Sequence, residues 1–356
     1  MLPRPNVSPG VSFPIVGRNR AAVWLVAGLA LAGWCVPTIA QEPRAAAPVD
    51  PPAAVGIEAK EFVYRKTPQG ELLIEVFRAV DATPDKPRPA IVFFFGGAWK
   101  NGKREQFREA AEYLAGRGMI AATADYRIAS KHKTLPDAAV EDAQHAVRWL
   151  RTEAEKLGID PLRIAAGGGS AGGHLAACTA LLPEPPVSEK AAAAVTARAT
   201  KSAGVPPSAP QAVSSRPNAL VLFNPVLDLE GLPLSGKTAQ GEPLVEALSP
   251  VRFVRDDLPP TILFFGSADK FLEGAERYQE KVQRRQGRCD LLVADGEDHA
   301  FFNRQPWKAT TLRAADEFLG SLGWLAGPPT IAAPPGGFRP LTGSNVTAAT
   351  QSQPSD

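Results

Sequence analysis

The strongest constraint on the fold of this chain is an alternation of short apolar runs with longer segments of helical periodicity. Two of the runs, IVFFF at 91–95 and TILFF at 261–265, are apolar throughout. Continuous apolar residues are typical of strands that are covered on both faces. Because helical segments separate the strands, the order predicts an α/β fold with a mostly parallel sheet and helices on both sides.

The boundaries of these elements follow from the local patterns. The apolar, β-rich runs predict strands at 72–77, 90–95, 120–124, 163–166, 219–223, 261–265 and 290–294. Helical periodicity predicts helices at 104–116, 136–157, 171–182, 273–285 and 308–322. In a sheet of this kind, functional side chains belong in the loops at the carboxyl ends of the strands.

The amino terminus has the pattern of an export signal. Residues 1–40 contain three Arg and no Asp or Glu, and the apolar run AAVWLVAGLALAGW at 21–34 is followed by small residues. That run is shorter than the roughly 18 apolar residues of a spanning helix, so an uncleaved anchor is the less favoured alternative. The sequence predicts cleavage before Gln41 and a periplasmic or secreted protein without a stable membrane anchor.

Three further segments lack a periodic apolar pattern and are rich in Pro or small polar residues. We expect a linker at 41–56, a low-complexity surface insertion at 183–217 and a disordered tail at 327–356. The folded domain then spans 57–326, interrupted by the insertion.

Charge and cysteine content exclude some classes of protein. The chain has 39 Lys and Arg against 37 Asp and Glu and lacks a long basic block, so nucleic acid is not expected as a partner. Cys178 and Cys289 are too few for a small domain held together by disulfides. Two packed thiols and a single bridge both remain open.

A serine stands at a glycine-rich junction between a predicted strand and a predicted helix. The segment RIAAGGGSAGGHLAA at 163–177 contains G-x-S-x-G centred on Ser170. A turn this tight holds its apex residue in a strained conformation with the hydroxyl above the sheet, and the N–H of Ala171 faces developing negative charge there. The same glycines also match the dinucleotide motif G-x-G-x-x-G, but that motif should open the first βαβ unit, and here several strands precede it.

A serine hydroxyl needs an imidazole to take its proton and a carboxylate to orient that imidazole. Of the four histidines, His299 in GEDHAFFN directly follows the last predicted strand, and Asp269 in SADKF follows the strand before it. The order Ser, Asp, His is the one this sheet topology uses. Asp228, after an earlier strand, is the reserve candidate for the acid.

A second set of N–H donors is predicted after the strand at 90–95. Gly96, Gly97 and Ala98 have little or no side chain, so their backbone can approach a substrate closely. Together with Ala171 they would form an oxyanion hole for a tetrahedral intermediate. An ordinary glycine-rich turn is the alternative.

With these residues assembled, the chain resembles the α/β-hydrolase fold, and within it the acetyl esterase/lipase group with an HGGG-like oxyanion loop, which includes hormone-sensitive-lipase-like and carbohydrate esterases. The resemblance covers about residues 61–325. It is carried, in order, by FFFGGAW, ADYRI, AVEDAQHAVRWLR, GIDPLRIAAGGGSAGGHLAA, FNPVLDL, SADKF and DHAFF.

The resemblance implies a role for each of the candidate site residues. It makes Ser170 the nucleophile, Asp269 the acid and His299 the base; the oxyanion donors that it implies are Gly97, Ala98 and Ala171. The chain departs from the family pattern at Phe95, where a His is common, and at Ala98, which replaces a Gly. Neither change removes a backbone N–H, so the expected loop is held by packing instead of by a histidine hydrogen bond.

The implied activity is that of an exported serine esterase that forms an acyl-enzyme and needs no metal or organic cofactor. The linker at 41–56 cannot form the helical cap that many relatives carry, so we expect no large cap domain. The resulting open cleft would be walled by Trp99, Tyr126 and the 228–257 loop. Short-chain, acetyl-type esters of small molecules or carbohydrates are the expected substrates. A serine exopeptidase of the prolyl-oligopeptidase type and a non-catalytic binding protein on the same fold are the alternatives.

Overall fold

The computed structural model describes residues 56–184, 213–238, 241–332 and 337–340. The predicted signal peptide, nearly all of the linker and most of the 183–217 insertion lie outside these residues. Within the described ranges, no helix combines the length and the apolar character that a membrane span requires.

Nine strands of the described chain form one sheet. Their bounds are β1 (Ile57–Thr67), β2 (Gly70–Ala79), β3 (Arg88–Phe94), β4 (Ile120–Ala124), β5 (Ile159–Gly169), β6 (Ala219–Phe223), β7 (Thr261–Gly266), β8 (Cys289–Ala294) and β9 (Arg339–Pro340). The spatial order is β1-β2-β4-β3-β5-β6-β7-β8-β9. Neighbouring strands from β4 to β8 are parallel, whereas β1, β2 and β9 pair antiparallel with their neighbours.

Helices cover both faces of this sheet, as the sequence predicts. Their bounds are α1 (Arg108–Gly116), α2 (Ala129–His132), α3 (Pro136–Thr152), α4 (Ala154–Leu157), α5 (Ala171–Leu181), α6 (Leu244–Ala247), α7 (Leu272–Gln283) and α8 (Trp307–Ser321). In β3, Val92 belongs to the core cluster shared with α3, α5 and α7, while Ile91 and Phe93 belong to the cluster shared with α1 and α8. The central strands are therefore apolar on both faces because each face packs against helices.

The two strands that the sequence patterns missed lie at the edges of the sheet. In β1 only Tyr64 is buried, and most of the remaining side chains are exposed. An edge strand that covers little core has no apolar pattern to reveal it. The other missed strand, β9, lies in the segment predicted as a disordered tail.

Part of the segment 327–356, predicted as a disordered tail, lies within the described residues and contacts the sheet. The backbone of residues 339–340 pairs with β8. The ring of Phe338 lies 5.6 Å from that of Phe264 and 5.4 Å from that of Trp307. The ring of Phe338 therefore packs this part of the segment against the domain. A prediction of disorder from composition does not detect a single aromatic side chain that packs in this way.

A buried carboxylate ties the loop after β4 to helix α3. Asp142 is fully buried, and its Oδ2 accepts hydrogen bonds from the backbone N–H of Arg127 at 2.9 Å and from Arg127 Nε at 2.8 Å. Arg65 of β1 donates to the other oxygen. The loop fixed in this way supports the region that follows β3, because Ala129 N donates to Trp99 O at 2.9 Å.

Replacing this carboxylate should destabilise the domain strongly. We expect Asp142→Ala to lower the free energy of unfolding by about 3 kcal/mol, because two guanidinium groups lose their buried counter-charge. Lys66→Ala is the control: Lys66 and Glu71 are 80% and 52% exposed, so the substitution should leave the free energy of unfolding nearly unchanged. Urea unfolding followed by circular dichroism measures both. Equal small effects would contradict a structural role for Asp142.

Candidate active site

The predicted nucleophile occupies a strained turn between β5 and α5. Ser170 has φ 53° and ψ −117°, a conformation that residues with a side chain rarely adopt. Its N–H donates to Phe223 O at 2.9 Å, which ties the turn to β6. A Cβ at Gly168 or Gly172 would lie only 2.4 or 2.0 Å from Phe94 O. The flanking glycines are therefore required by close approach, as expected from the sequence.

The structure brings the three predicted side chains together. Ser170 Oγ donates to His299 Nε2 at 2.8 Å, and His299 Nδ1 donates to Asp269 Oδ2 at 2.8 Å. The Asp269 side chain is buried, whereas that of His299 is 32% exposed. The other oxygen of Asp269 accepts the N–H of Phe271 at 3.0 Å. The hydroxyl, imidazole and carboxylate thus form one continuous hydrogen-bonded path.

The reserve acid lies elsewhere. Asp228 Oδ2 accepts a hydrogen bond from Arg277 Nη2 of α7 at 2.7 Å, and its Oδ1 accepts the N–H of Glu230. An ion pair with a helix side chain fixes this carboxylate away from the imidazole. Asp269 is therefore the carboxylate that meets His299.

The loop after β3 has an unusual backbone. Gly97, Ala98 and Trp99 all have positive φ, at 126°, 54° and 58°, which turns successive peptide groups away from the β3 direction. A Cβ at Gly97 would lie 2.0 Å from Asn101 O. Among the hydrogen bonds of the described residues, the amides of Gly97, Ala98 and Ala171 have no protein acceptor. These three N–H groups are available to a substrate oxygen.

Gly96 does not belong to this set, which corrects the sequence prediction. Its N–H donates to Gln106 Oε1 at 2.7 Å, so a substrate oxygen cannot use it. Gln106 Nε2 in turn donates to Asn303 Oδ1 at 3.0 Å, and Asn303 Nδ2 donates to Ala300 O at 3.1 Å. This chain of amides connects the oxyanion loop to the residue after His299. Gln106 and Asn303 are 197 positions apart, and their sequence context carries no motif that signals the contact.

The two predicted wall residues have different positions. Trp99 lines the cleft, and its Nε1 donates to His174 Nδ1 at 3.2 Å. Burial lowers the pKa of His174 to about 4, so the ring is neutral near pH 7 and can accept this bond while Nε2 donates to Leu248 O at 2.8 Å. The Trp99 side chain is therefore anchored by a polar contact as well as by packing.

Tyr126 does not line the cleft, contrary to the prediction. It is 1% exposed and stacks on Phe95 with ring centroids 4.1 Å apart. Its hydroxyl donates to Phe95 O at 2.8 Å. The phenol supports the oxyanion loop from beneath, and Phe95 packs on it as expected from the absence of the family histidine.

Asn224 is a site residue that the sequence predictions missed. It is fully buried after β6, and its Nδ2 lies 3.3 and 3.4 Å from the two ring nitrogens of His299. Its Oδ1 accepts the N–H of Ala300 at 3.2 Å. Asn224 directly follows the predicted strand 219–223, within FNPVLDL. This position at the carboxyl end of a strand is the sequence feature that could have indicated a site residue.

A cavity of about 660 Å³ opens above the serine and the imidazole. Its walls are mainly apolar and include Trp99, Val226, Leu232, Pro233, Leu234, Phe271 and Phe302. The predicted 228–257 loop thus contributes its first part to the wall.

Among the described residues, no three His, Cys, Asp or Glu side chains are grouped closely enough to hold a metal ion. Cys178 and Cys289 are free and buried, so the packed-thiol alternative holds.

The comparisons with known proteins agree with this architecture. The model of the BD-FAE family matches residues 79–277, more than half of the chain. Esterase LipC of Mycobacterium tuberculosis is 31% identical over 185 residues, covering 51% of this chain and 45% of that protein. The probable isoprenylcysteine alpha-carbonyl methylesterase ICMEL1 of Oryza sativa subsp. japonica is 29% identical, covering 73% and 61%. The chain spans about half the length of the curated bacterial relatives such as LipC.

Solved structures extend the similarity over most of the domain. Thermogutta terrifontis esterase 2, phosphorylated by paraoxon, is 38% identical with a TM-score of 0.65, and the match covers 76% of this chain and 96% of that one. The resemblance found in the sequence motifs is thereby confirmed. The chain belongs to the BD-FAE family and has the α/β-hydrolase fold of the esterases that it resembles.

Proposed function

We propose that this chain is an exported serine esterase that hydrolyses short-chain acyl esters through an acyl-enzyme. The observation that carries the proposal is the hydrogen-bonded path from Ser170 through His299 to Asp269 at the floor of an apolar cleft. An imidazole held in this way by a buried carboxylate can accept the serine proton as the hydroxyl attacks. The free amides of Gly97, Ala98 and Ala171 can donate hydrogen bonds to the oxyanion that forms during acyl transfer.

In the proposed reaction, Ser170 Oγ attacks the ester carbonyl carbon while His299 Nε2 takes its proton. The oxyanion accepts hydrogen bonds from the N–H groups of Gly97, Ala98 and Ala171, and the Asp269 carboxylate stabilises the imidazolium. The intermediate collapses as His299 protonates the leaving alcohol. Water then attacks the acyl-enzyme with His299 as base, and the carboxylic acid is released.

Three observations support the proposed acyl group, leaving alcohol and export. Structures of Thermogutta terrifontis esterase 2 with propionate and with butyrate bound are each 37% identical to this chain, which favours acyl groups of similar length here. The cleft opens to solvent near Ser170, so the leaving alcohol can be a small molecule or part of a carbohydrate. The leader-like pattern of residues 1–40 supports the proposed export to the periplasm or the outside of the cell.

The serine is testable with a covalent probe. An alkyl fluorophosphonate should label the protein by forming a bond between phosphorus and Ser170 Oγ with loss of fluoride. We expect Ser170→Ala to abolish labelling and to lower kcat for 4-nitrophenyl acetate by about 10⁴-fold or more, because the attacking atom is gone. The exposed Ser130 provides the matched control, since Ser130→Ala should label normally. A folded wild-type protein that takes no label would support the non-catalytic alternative instead.

The acyl preference is tested by a series of 4-nitrophenyl esters together with acetylated xylan. We expect kcat/KM to be highest for acyl chains of two to four carbons and to fall at eight carbons, because the similar esterase binds propionate and butyrate. Release of acetate from acetylated xylan would place the alcohol among carbohydrates. A maximum at eight carbons or more would refute the short-chain proposal.

The export proposal predicts where the processed chain begins. Sequencing of the protein from the periplasm or medium of an expressing bacterium should give Gln41 as the first residue. Deleting residues 2–40 should keep the protein in the cytoplasm. Recovery of the full-length chain from the membrane fraction would favour the uncleaved anchor.

A further inference from the structure

We propose that the cleft selects esters that carry a carboxylate near the ester bond, and that Lys100, Lys103 and Lys270 recognise this charge. The inference rests on the proposed esterase function and specifies the class of its substrate. The carboxylate can belong to the acyl group, as in a dicarboxylic half-ester, or to the alcohol, as in an acidic sugar.

The argument begins with the charges that line the cleft. Among the described residues, three lysines contribute to its surface and no Asp or Glu does. Lys100 and Lys103 follow β3 on the oxyanion side, and Lys270 follows β7 directly after Asp269. Strands β5 and β6 stand between β3 and β7, so the ammonium groups reach the cleft from separate loops on either side of Ser170.

In the described part of the chain, none of the three lysines forms an ion pair, although most of the arginines do. The nearest acidic residues in sequence on the His299 loop, Glu297 and Asp298, both pair with Arg304. Lys270 Nζ instead lies 4.9 Å from the ring centroid of Phe271, a contact that retains the positive charge.

Two of the lysines also border neighbouring cavities that contain carboxylates. Lys270 lines a cavity of about 280 Å³ together with Asp228, Glu230 and Glu273. Lys103 lines another of about 530 Å³ together with Glu71, Glu105 and Asp125. The described lining of the catalytic cleft itself contains the three lysines and no carboxylate, and its apolar walls strengthen the field of these charges.

The expected size of the effect follows from Coulomb's law. One ammonium at about 7 Å from a carboxylate in water-like surroundings improves binding about two- to threefold, so three together give about tenfold or more at low salt. The effect should shrink as ionic strength rises, because salt screens charges that are exposed to solvent.

Two matched pairs of esters test the proposal and distinguish the position of the charge. The acyl pair is 4-nitrophenyl hemisuccinate and 4-nitrophenyl butyrate; the alcohol pair is 4-acetoxybenzoate and 4-acetoxybenzamide. For each pair, the ratio of kcat/KM for the anionic over the neutral ester is compared between the wild type and a variant with Lys100→Gln, Lys103→Gln and Lys270→Gln. Intrinsic ester reactivity cancels in this comparison.

We expect the triple variant to lower the ratio about tenfold for one of the pairs, and raised salt to lower it in the wild type. Lys131→Gln is the control, because Lys131 is an exposed lysine that lines the 530 Å³ cavity instead of the cleft. An unchanged ratio in both pairs, or an equal decrease with Lys131→Gln, would overturn the proposal while leaving esterase activity on the neutral esters intact. Failure of the wild type on all four esters, without fluorophosphonate labelling, would overturn the proposed function itself.

Discussion

The chain between Gly168 and Gly172 passes so close to the end of β3 that a side chain at either glycine would collide with Phe94 O. This close approach fixes where the serine stands relative to the loop after β3. Ser170 then sits in its strained conformation because the turn is held on one side by β3 and on the other by the hydrogen bond to β6. The nucleophile and the Ala171 amide that follows it are consequently placed by the backbone of the sheet.

The loops around this turn are joined to one another by polar side chains. Gln106 and Asn303 connect the oxyanion loop to the His299 loop, and Asn224 accepts a hydrogen bond from the latter. On the other side, Trp99 is bonded to the buried, neutral His174. Beneath the loop, Phe95 stacks on Tyr126 and its carbonyl oxygen accepts the tyrosine hydroxyl. A loop with positive φ at successive residues needs such supports, because its backbone is not stabilised by the sheet.

In the proposed function, the reacting groups and the charged residues of the cleft have separate parts. Ser170 and His299 lie at its apolar floor, where hydrogen bonds to developing charge act more strongly than in water. The exposed lysines that line the cleft would act on the approach of a charged ester without taking part in bond breaking.

The sequence by itself determined the α/β class, the strand–helix order and the three side chains Ser170, Asp269 and His299. These follow from short-range information: apolar runs mark buried strands, and special residues stand where those strands end. Only the tertiary structure decided that the Gly96 amide is occupied by Gln106, that Tyr126 lies beneath the loop and that Asn224 contacts the imidazole. It also placed β1 and β9 at the edges, where little burial leaves no apolar pattern. The physical reason is that these features depend on how separate loops and elements meet in space, over 10 positions for Gly96 and Gln106 and over 75 for Asn224 and His299, and local patterns do not encode such contacts.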